Sequence, residues 1–258
     1  MRNLNTKNIV SDLEWRVRTD LAACARLIYD FNLDDYCYGH VFARSPDEPE
    51  HILVPAFGIS FEEMQASDFI KIDLRGKVIF NPHSDLSYSK GILQFISIMD
   101  ARRDINGLIH SHPTNSTAVS MLECGLLPYS QTAMRFRDIP YHEFNGTTIG
   151  FEHSEQMISD LGMHEALILK NHGIITVGED IARAFNAAYF LEKACEFQIK
   201  AMSCGSPLSI PKQEHIDKTY KFFDPIERNK ITKGIEMGVR EWEALRRHLD
   251  AKDESYKL

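Results

Sequence analysis

The segment "EALILKNHGIITVGED", residues 165–180, restricts the fold more than any other part of the chain. Two short apolar runs are separated there by "KNHG", a composition typical of a tight strand–turn–strand unit. Directly afterwards, apolar side chains recur every three or four residues over 181–202. This stripe predicts a long helix packed on the core, with Asp180 at its start and Gly205 at its stop.

The first half of the chain predicts a helix followed by short strands. Ser11 and Glu14 have capping-box spacing at the head of the amphipathic stretch "SDLEWRVRTDLAACARLIYDF". The runs "HVFAR", "HILVP", "FIKIDL" and "KVIF", which are separated by turn-forming residues, predict strands of an antiparallel region. A helix in "GILQFISIMDARRD", a strand in "GLIHSH" and a helix starting near Thr117 are expected next.

The C-terminal part, residues 206–258, is interpreted as a connection followed by a helix. Residues 206–225 are polar and contain prolines, whereas "IERNKITKGIEMGVREWEALRRHLD" returns to a helical pattern. Trp242, Leu245 and Leu249 would pack either on this subunit or on a neighbour, so this part is also a candidate oligomer contact.

Length and composition favour one domain over residues 1–258, although two small domains also fit the length. The net charge of −8 and the lack of a Lys/Arg block argue against nucleic acid and favour a small-molecule substrate. Five widely spaced cysteines without a CxxC pair indicate free thiols in a reducing compartment, by default the cytoplasm. No apolar run reaches the length of a bilayer span, so a soluble protein without membrane contact is expected.

The histidines provide the main chemical signal. His110 and His112 are two residues apart, so on an extended chain both imidazoles point to the same side. His172 also ends an apolar run, and three neutral imidazoles can hold a divalent metal while leaving positions for substrate. Hydrogen-bonded histidines at strand ends explain the H-x-H pair equally well. Among the other histidines, His40 and His83 lie in segments suited to a supporting or substrate-contacting role.

The sequence resembles the class II aldolase/adducin family over roughly residues 14–205, and within it the adducin-head-like microbial branch. The resemblance rests on several segments: "YGHVFARSP", "PAFGISFEEMQASDFIKIDLRGKV", "HSHPTNSTAVSMLECGLLPYSQTAM", "IPYHEFNG" and "LILKNHGIITVGEDIARAFNAAYFLEKACEFQ". It implies an α/β fold: a single three-layer α/β/α domain around a mainly antiparallel central sheet, commonly assembled into homotetramers. It also implies that His110, His112 and His172 bind the catalytic metal, zinc foremost, with manganese or iron as alternatives.

The chain departs from the aldolases of this family at several positions. Gly91 stands where they have an acid/base glutamate, and glycine supplies no group for proton transfer. The resemblance places the substrate pocket at Gly39, His40, Phe57, Gly58, Ser89 and Lys90. Hydroxyl and amide donors that would bind a phosphate are thereby partly replaced by an aromatic ring, an imidazole and an ammonium, which favours an aromatic or carboxylated substrate. Lys90 could pair with a substrate carboxylate or simply be solvated.

Candidate replacements for the missing glutamate are His83 and Asp85 in one loop and Tyr129 after the "GLLP" turn. The resemblance supports Tyr129, because aldolases of the family have a catalytic tyrosine a few residues after this turn. Tyr129 could equally be a packing aromatic. His142, beside Glu143, is a further candidate.

These features predict a metal-dependent carbon–carbon lyase. Decarboxylation suits the chain better than aldol cleavage, because loss of CO2 needs an electron sink but no base at carbon. Two alternatives remain: a three-histidine Fe(II) oxygenase, and a non-enzymatic assembly module like the adducin head, which shares the missing glutamate. The retained histidines favour an enzyme.

Overall fold

The computed structural model describes residues 6–146, 150–224 and 237–258. Its strands form one eight-stranded sheet in the order β4-β3-β2-β1-β5-β8-β7-β6, and every neighbouring pair is antiparallel except β6 and β7. The strands are β1 (His40–Arg44), β2 (His51–Pro55), β3 (Phe69–Asp73), β4 (Val78–Phe80), β5 (Gly107–Ser111), β6 (Tyr141–His142), β7 (Ala166–Leu169) and β8 (Gly173–Gly178).

Helices cover both faces of this sheet. They are α1 (Thr6–Ile9), α2 (Asp12–Asp30), α3 (Leu93–Ala101), α4 (Thr114–Ser120), α5 (Gln131–Met134), α6 (Ser154–Leu161), α7 (Ile181–Ser203), α8 (Gln213–Phe223) and α9 (Val239–Lys252). The two long predicted helices begin where their caps indicate: Ser11 accepts the Glu14 amide in α2, and Asp180 accepts the Arg183 amide in α7.

The faces of the central strands alternate between two helical layers. Thr176 of β8, paired with Ile109 of β5, donates its hydroxyl to the Ala184 carbonyl of α7, so these residues face α7. The next residue, His110, faces the opposite side, where Phe95 of α3 stacks on its ring at 4.4 Å. The predicted three-layer α/β/α arrangement with a mainly antiparallel sheet is therefore confirmed.

The structure corrects two predictions near the C-terminus. The connection predicted over 206–225 contains the helix α8, in which Ile216 is buried; the neighbouring prolines hid the four-residue spacing of Ile216 and Tyr220. Met202, predicted as part of the core stripe of α7, is 41% exposed, and the whole last turn of the helix, residues 200–203, faces solvent with it. Residues 225–236 of the next predicted helix lie outside the described residues.

The C-terminal helix α9 packs on the same chain. Trp242 and Leu249 are buried there, and the indole of Trp242 donates to the Asp20 carboxylate of α2 at 3.1 Å. All five cysteines are free thiols. In the part of the chain with described coordinates, no helix combines the length and apolar character needed to cross a bilayer.

A buried ion network ties α2 to the outer strands. The Arg18 side chain is fully buried, and it donates to Glu14 Oε1 at 2.8 Å and to the Phe69 carbonyl at 2.6 Å. The other Glu14 oxygen lies 2.5 Å from Lys71 Nζ, which also contacts Glu48 at 2.9 Å. Glu14 therefore neutralises two cations at the boundary between helix and sheet.

Removal of the Glu14 carboxylate should destabilise the protein strongly. In Glu14→Ala the guanidinium of Arg18 stays buried without its counter-charge, so we expect the free energy of unfolding to fall by about 3–5 kcal/mol, measured by guanidinium denaturation. The control Glu123→Ala alters an exposed turn residue and should change the same quantity by less than about 0.5 kcal/mol. Equal small effects in both variants would contradict a structural role for the network.

Candidate metal centre

Strand pairing gathers three histidines at one end of the sheet. His110 lies on β5, His112 directly follows it, and His172 occupies the turn between β7 and β8, whose residue Ile174 pairs with Ser111. The imidazole centroids are 4.8 to 5.0 Å apart, and one nitrogen from each ring lies within 4.8 Å of the others. His110, His112 and His172 are called the three-histidine cluster below.

The turn that carries His172 depends on its glycine. Asn171 has a left-handed backbone with φ of 57°, a conformation that asparagine adopts more readily than most residues. A Cβ on Gly173 would lie 2.5 Å from the Ser111 carbonyl oxygen and 2.7 Å from Cδ2 of His112. Only glycine lets β8 begin this close to the His112 ring, so the "NHG" sequence sets the spacing of the cluster.

Hydrogen bonds orient two of the imidazoles toward each other. Nδ1 of His110 lies 3.0 Å from the Ile174 carbonyl oxygen, and Nδ1 of His112 lies 3.3 Å from Oδ2 of Asp35. Both acceptors require a hydrogen on Nδ1, which leaves a lone pair on each Nε2. The two Nε2 atoms are only 3.2 Å apart, an unfavourable arrangement unless a cation lies between them. This separation is close to the roughly 3.3 Å between nitrogens of a tetrahedral zinc site, so the donors fit a metal.

The cluster is also in the protonation state that metal binding requires. Burial lowers the pKa of His110 well below its ordinary value, and neighbouring imidazoles lower it further. Burial, followed by His112 and His142, lowers the pKa of His172 to about 4, and burial also lowers the pKa of His112. The imidazoles are therefore neutral at pH 7, and a metal ion does not have to displace protons from them.

The cluster lines a cavity of about 280 Å³. Two of the predicted substrate-contacting residues, Gly39 and His40, also line it, as does Gly91. His40 pairs with His110 in the sheet, and burial, followed by the proximity of His112, lowers its pKa to about 4. The ring of Phe95 forms part of the apolar wall behind His110.

The other four predicted substrate contacts are not among the residues that line this cavity. Phe57 is 41% exposed, and the centroid of its ring lies 6.1 Å from that of Tyr38. Gly58 directly follows Phe57, and Ser89 lies two residues before Gly91. Lys90 lies over its neighbour Tyr88, with Nζ 3.1 Å from the phenol oxygen. Their role in substrate binding remains a prediction.

Three of the predicted acid/base residues, His83, Asp85 and Tyr129, also lie outside the cavity lining, whereas the further candidate His142 is part of it. His83 is buried, with Nε2 3.3 Å from the Asp68 carbonyl oxygen and 3.4 Å from the Asp68 carboxylate, a packing role within this chain. Asp85 is exposed in the same loop, and Tyr129 is half-buried in the turn after α4.

Sequence reasoning missed Asp35 and the partner of His142. Asp35 contacts Nδ1 of His112, and Asp160 of α6 lies 2.7 Å from Nδ1 of His142, a cavity-lining residue. No spacing signal links either pair, because each joins segments that are far apart in the sequence.

Asp35 should support metal binding through His112. Truncation in Asp35→Ala removes the acceptor that holds the His112 ring, and loss of such a supporting carboxylate typically weakens metal affinity by about 10- to 100-fold. We expect at least a tenfold rise in the zinc Kd, measured by chelator competition. The neighbouring control, Asp34→Ala, should leave the zinc Kd unchanged, and equal values in both variants would rule out the supporting role.

Comparison with known proteins agrees with this geometry. The profile of the Class II Aldolase and Adducin N-terminal domain matches residues 19–199. A Pseudomonas aeruginosa protein provisionally named as a class 2 aldolase is 32% identical over 96% of this chain and 94% of its own length. Mouse alpha-adducin is 34% identical over 74% of this chain, which corresponds to 26% of the adducin.

Solved structures agree as well. An aldolase II superfamily protein from Pseudomonas syringae superimposes with a TM-score of 0.91 at 33% identity, over 98% of this chain and all of that one. The L-fuculose 1-phosphate aldolase of Glaciozyma antarctica shares the fold, with a TM-score of 0.79 at 23% identity over 94% of this chain and 92% of its own. The chain therefore belongs to the class II aldolase and adducin family.

Proposed function

We infer that this protein is a metal-dependent carbon–carbon lyase that acts on a small, oxygen-rich, carboxylated substrate, with decarboxylation as the favoured reaction. The observation that carries this proposal is the three-histidine cluster, in which one nitrogen from each ring lies within 4.8 Å of the others and which lines a cavity of about 280 Å³. Family membership supports the same class of chemistry. A scaffold has no evident need for three neutral, converging imidazoles.

The residues of the cluster would hold the divalent metal, zinc foremost, with manganese and iron as alternatives. When bound, such an ion acts as a Lewis acid that lowers the energy of an enolate oxygen. The protein contributes the fixed orientation of His110 and His112 through Ile174 and Asp35. The apolar ring of Phe95 behind His110 limits water on that side.

Gly91 favours decarboxylation over aldol cleavage. It lines the same cavity as the cluster but carries no carboxylate, and a Cβ added there would meet only the Ser89 hydroxyl, at 3.6 Å. The position is therefore not filled by another side chain that could replace the base. In decarboxylation the bond to the carboxylate carbon breaks, CO2 leaves, and the electron pair remains on the substrate as an enolate, so no base at carbon is needed.

The cavity also supports a carboxylated rather than a phosphorylated substrate. Lys170, the lysine among its lining residues, is ion-paired with Glu143, and Lys90 is engaged by Tyr88 outside the lining. Among the described residues that line the cavity, there is no cluster of free cations or hydroxyl donors to bind a phosphate dianion. A carboxylate and an adjacent oxygen can instead chelate the metal directly.

Metal content is the primary test of the proposal. Protein purified without added metal should contain about one transition metal per chain by elemental analysis, and His172→Ala should lose it because two imidazoles hold a divalent ion weakly. The exposed residue His215 provides the control, since His215→Ala should keep the full metal content.

The same measurement separates the alternatives. Iron, together with oxygen consumption on aromatic acids, would favour the oxygenase. Metal-free wild-type protein that still assembles normally into the expected homotetramer would exclude both enzymes and favour an adducin-like assembly module.

A second test concerns the space beside Gly91. Gly91→Glu adds a negative charge next to the position proposed for the substrate carboxylate, whereas Gly91→Gln adds nearly the same volume without charge. We expect oxalate, a small carboxylate probe, to bind the zinc-loaded Glu variant at least about tenfold more weakly than the Gln variant, a difference of about 1.4 kcal/mol, measured by calorimetry. Equal oxalate affinities would argue against a carboxylated substrate at this position.

A further inference from the structure

Outside the three-histidine cluster, the titratable side chains that line the cavity differ in their burial and in their ion-pair or hydrogen-bond partners. Glu143 and Lys170 neutralise each other at the rim, and Tyr38 and His153 are exposed. Burial keeps His40 neutral. One further cavity-lining residue, His142, is buried and has a carboxylate partner of its own, so it differs from the rest of this set.

His142 and Asp160 form a dyad with a fixed orientation. His142 ends β6, where its carbonyl accepts the Lys170 amide at 2.9 Å and its backbone is paired with Leu169, which leads into the His172 turn. Nδ1 of His142 lies 2.7 Å from Oδ2 of Asp160 on α6. The second oxygen, Oδ1, accepts the Gln156 amide at 2.7 Å, so both carboxylate oxygens are held.

This arrangement determines which nitrogen is available to the cavity. A carboxylate on Nδ1 requires a hydrogen there and leaves Nε2 free to exchange a proton with a bound molecule. The carboxylate also fixes the plane of the ring, so that Nε2 can accept and donate a proton in one orientation. A base held by an orienting group beside a reaction site is the general arrangement of an acid/base pair.

We propose that His142 is the acid/base residue of this site, positioned by Asp160, and that it donates the proton that the substrate carbon takes up after C–C cleavage. The proposal rests on the lyase function inferred above. After C–C cleavage the enolate re-forms its C=O bond, and the electron pair of its C=C bond takes a proton from Nε2 of His142. The imidazole becomes neutral and regains a proton from solvent. In the reverse direction, neutral Nε2 removes a proton from the carbon next to a 2-oxo acid carbonyl.

The reverse step provides the experiment, because it needs no knowledge of the natural substrate. Zinc-loaded protein is incubated with pyruvate in D2O, and exchange of the C3 protons is followed by NMR. We expect His142→Gln to slow this exchange by about 100-fold or more. Asp160→Asn, which keeps the size but disturbs the Nδ1 partner, should slow exchange at least about tenfold. Glu155→Gln, on the exposed face of the same helix, should exchange at the wild-type rate.

Zinc content and oxalate affinity distinguish a chemical from a structural effect. Both should stay within twofold of wild type in all three variants, and the two dyad variants provide independent evidence if one of them folds poorly. Wild-type exchange rates in His142→Gln with normal zinc content would overturn the dyad proposal while leaving the lyase function intact. Zinc-loaded wild-type protein that does not accelerate exchange would also overturn the dyad proposal. Wild-type protein that binds none of zinc, manganese and iron would instead overturn the lyase function and, with it, the dyad proposal.

Discussion

The pairing of β5 with β8 is the constraint on which the site depends. This register places His110 and His112 beside the start of β8, and the contact of Gly173 with the Ser111 backbone and the His112 ring brings the turn up against them. Because the sheet is covered on both faces, this register cannot slip by one residue without burying the wrong side chains. The position of His172 in the cluster is therefore fixed by the core of the protein as much as by the turn itself.

Burial has two opposite consequences at this end of the sheet. It lowers the pKa of the imidazoles of the cluster, and it makes their facing lone pairs costly because the rings are partly removed from solvent. Both effects favour a bound cation. The supporting contacts from Ile174 and Asp35 fix the ring orientations before any ion arrives, so little reorganisation is needed on binding.

The absence of a carboxylate at Gly91 changes the charge of the cavity. A glutamate there would add a negative charge beside the metal and repel a carboxylated substrate, whereas glycine leaves the metal charge available to it. In the proposed dyad the proton donor is the imidazole of His142, and the Asp160 carboxylate is held by hydrogen bonds to His142 and Gln156. The absence of the glutamate is therefore consistent with a carboxylated substrate.

The sequence by itself determined the local features: the starts of α2 and α7 at their caps, the strands around the sheet, and the histidines at strand ends, because these depend on side-chain periodicity and turn chemistry within short segments. The helix α8 was hidden by flanking prolines. Only the tertiary structure decided that Asp35 holds His112, that Asp160 holds His142, and that His83 packs on Asp68 outside the cavity. These contacts join segments distant along the chain, and their geometry follows from the packing of helices on the sheet, for which no single stretch of sequence carries a signal.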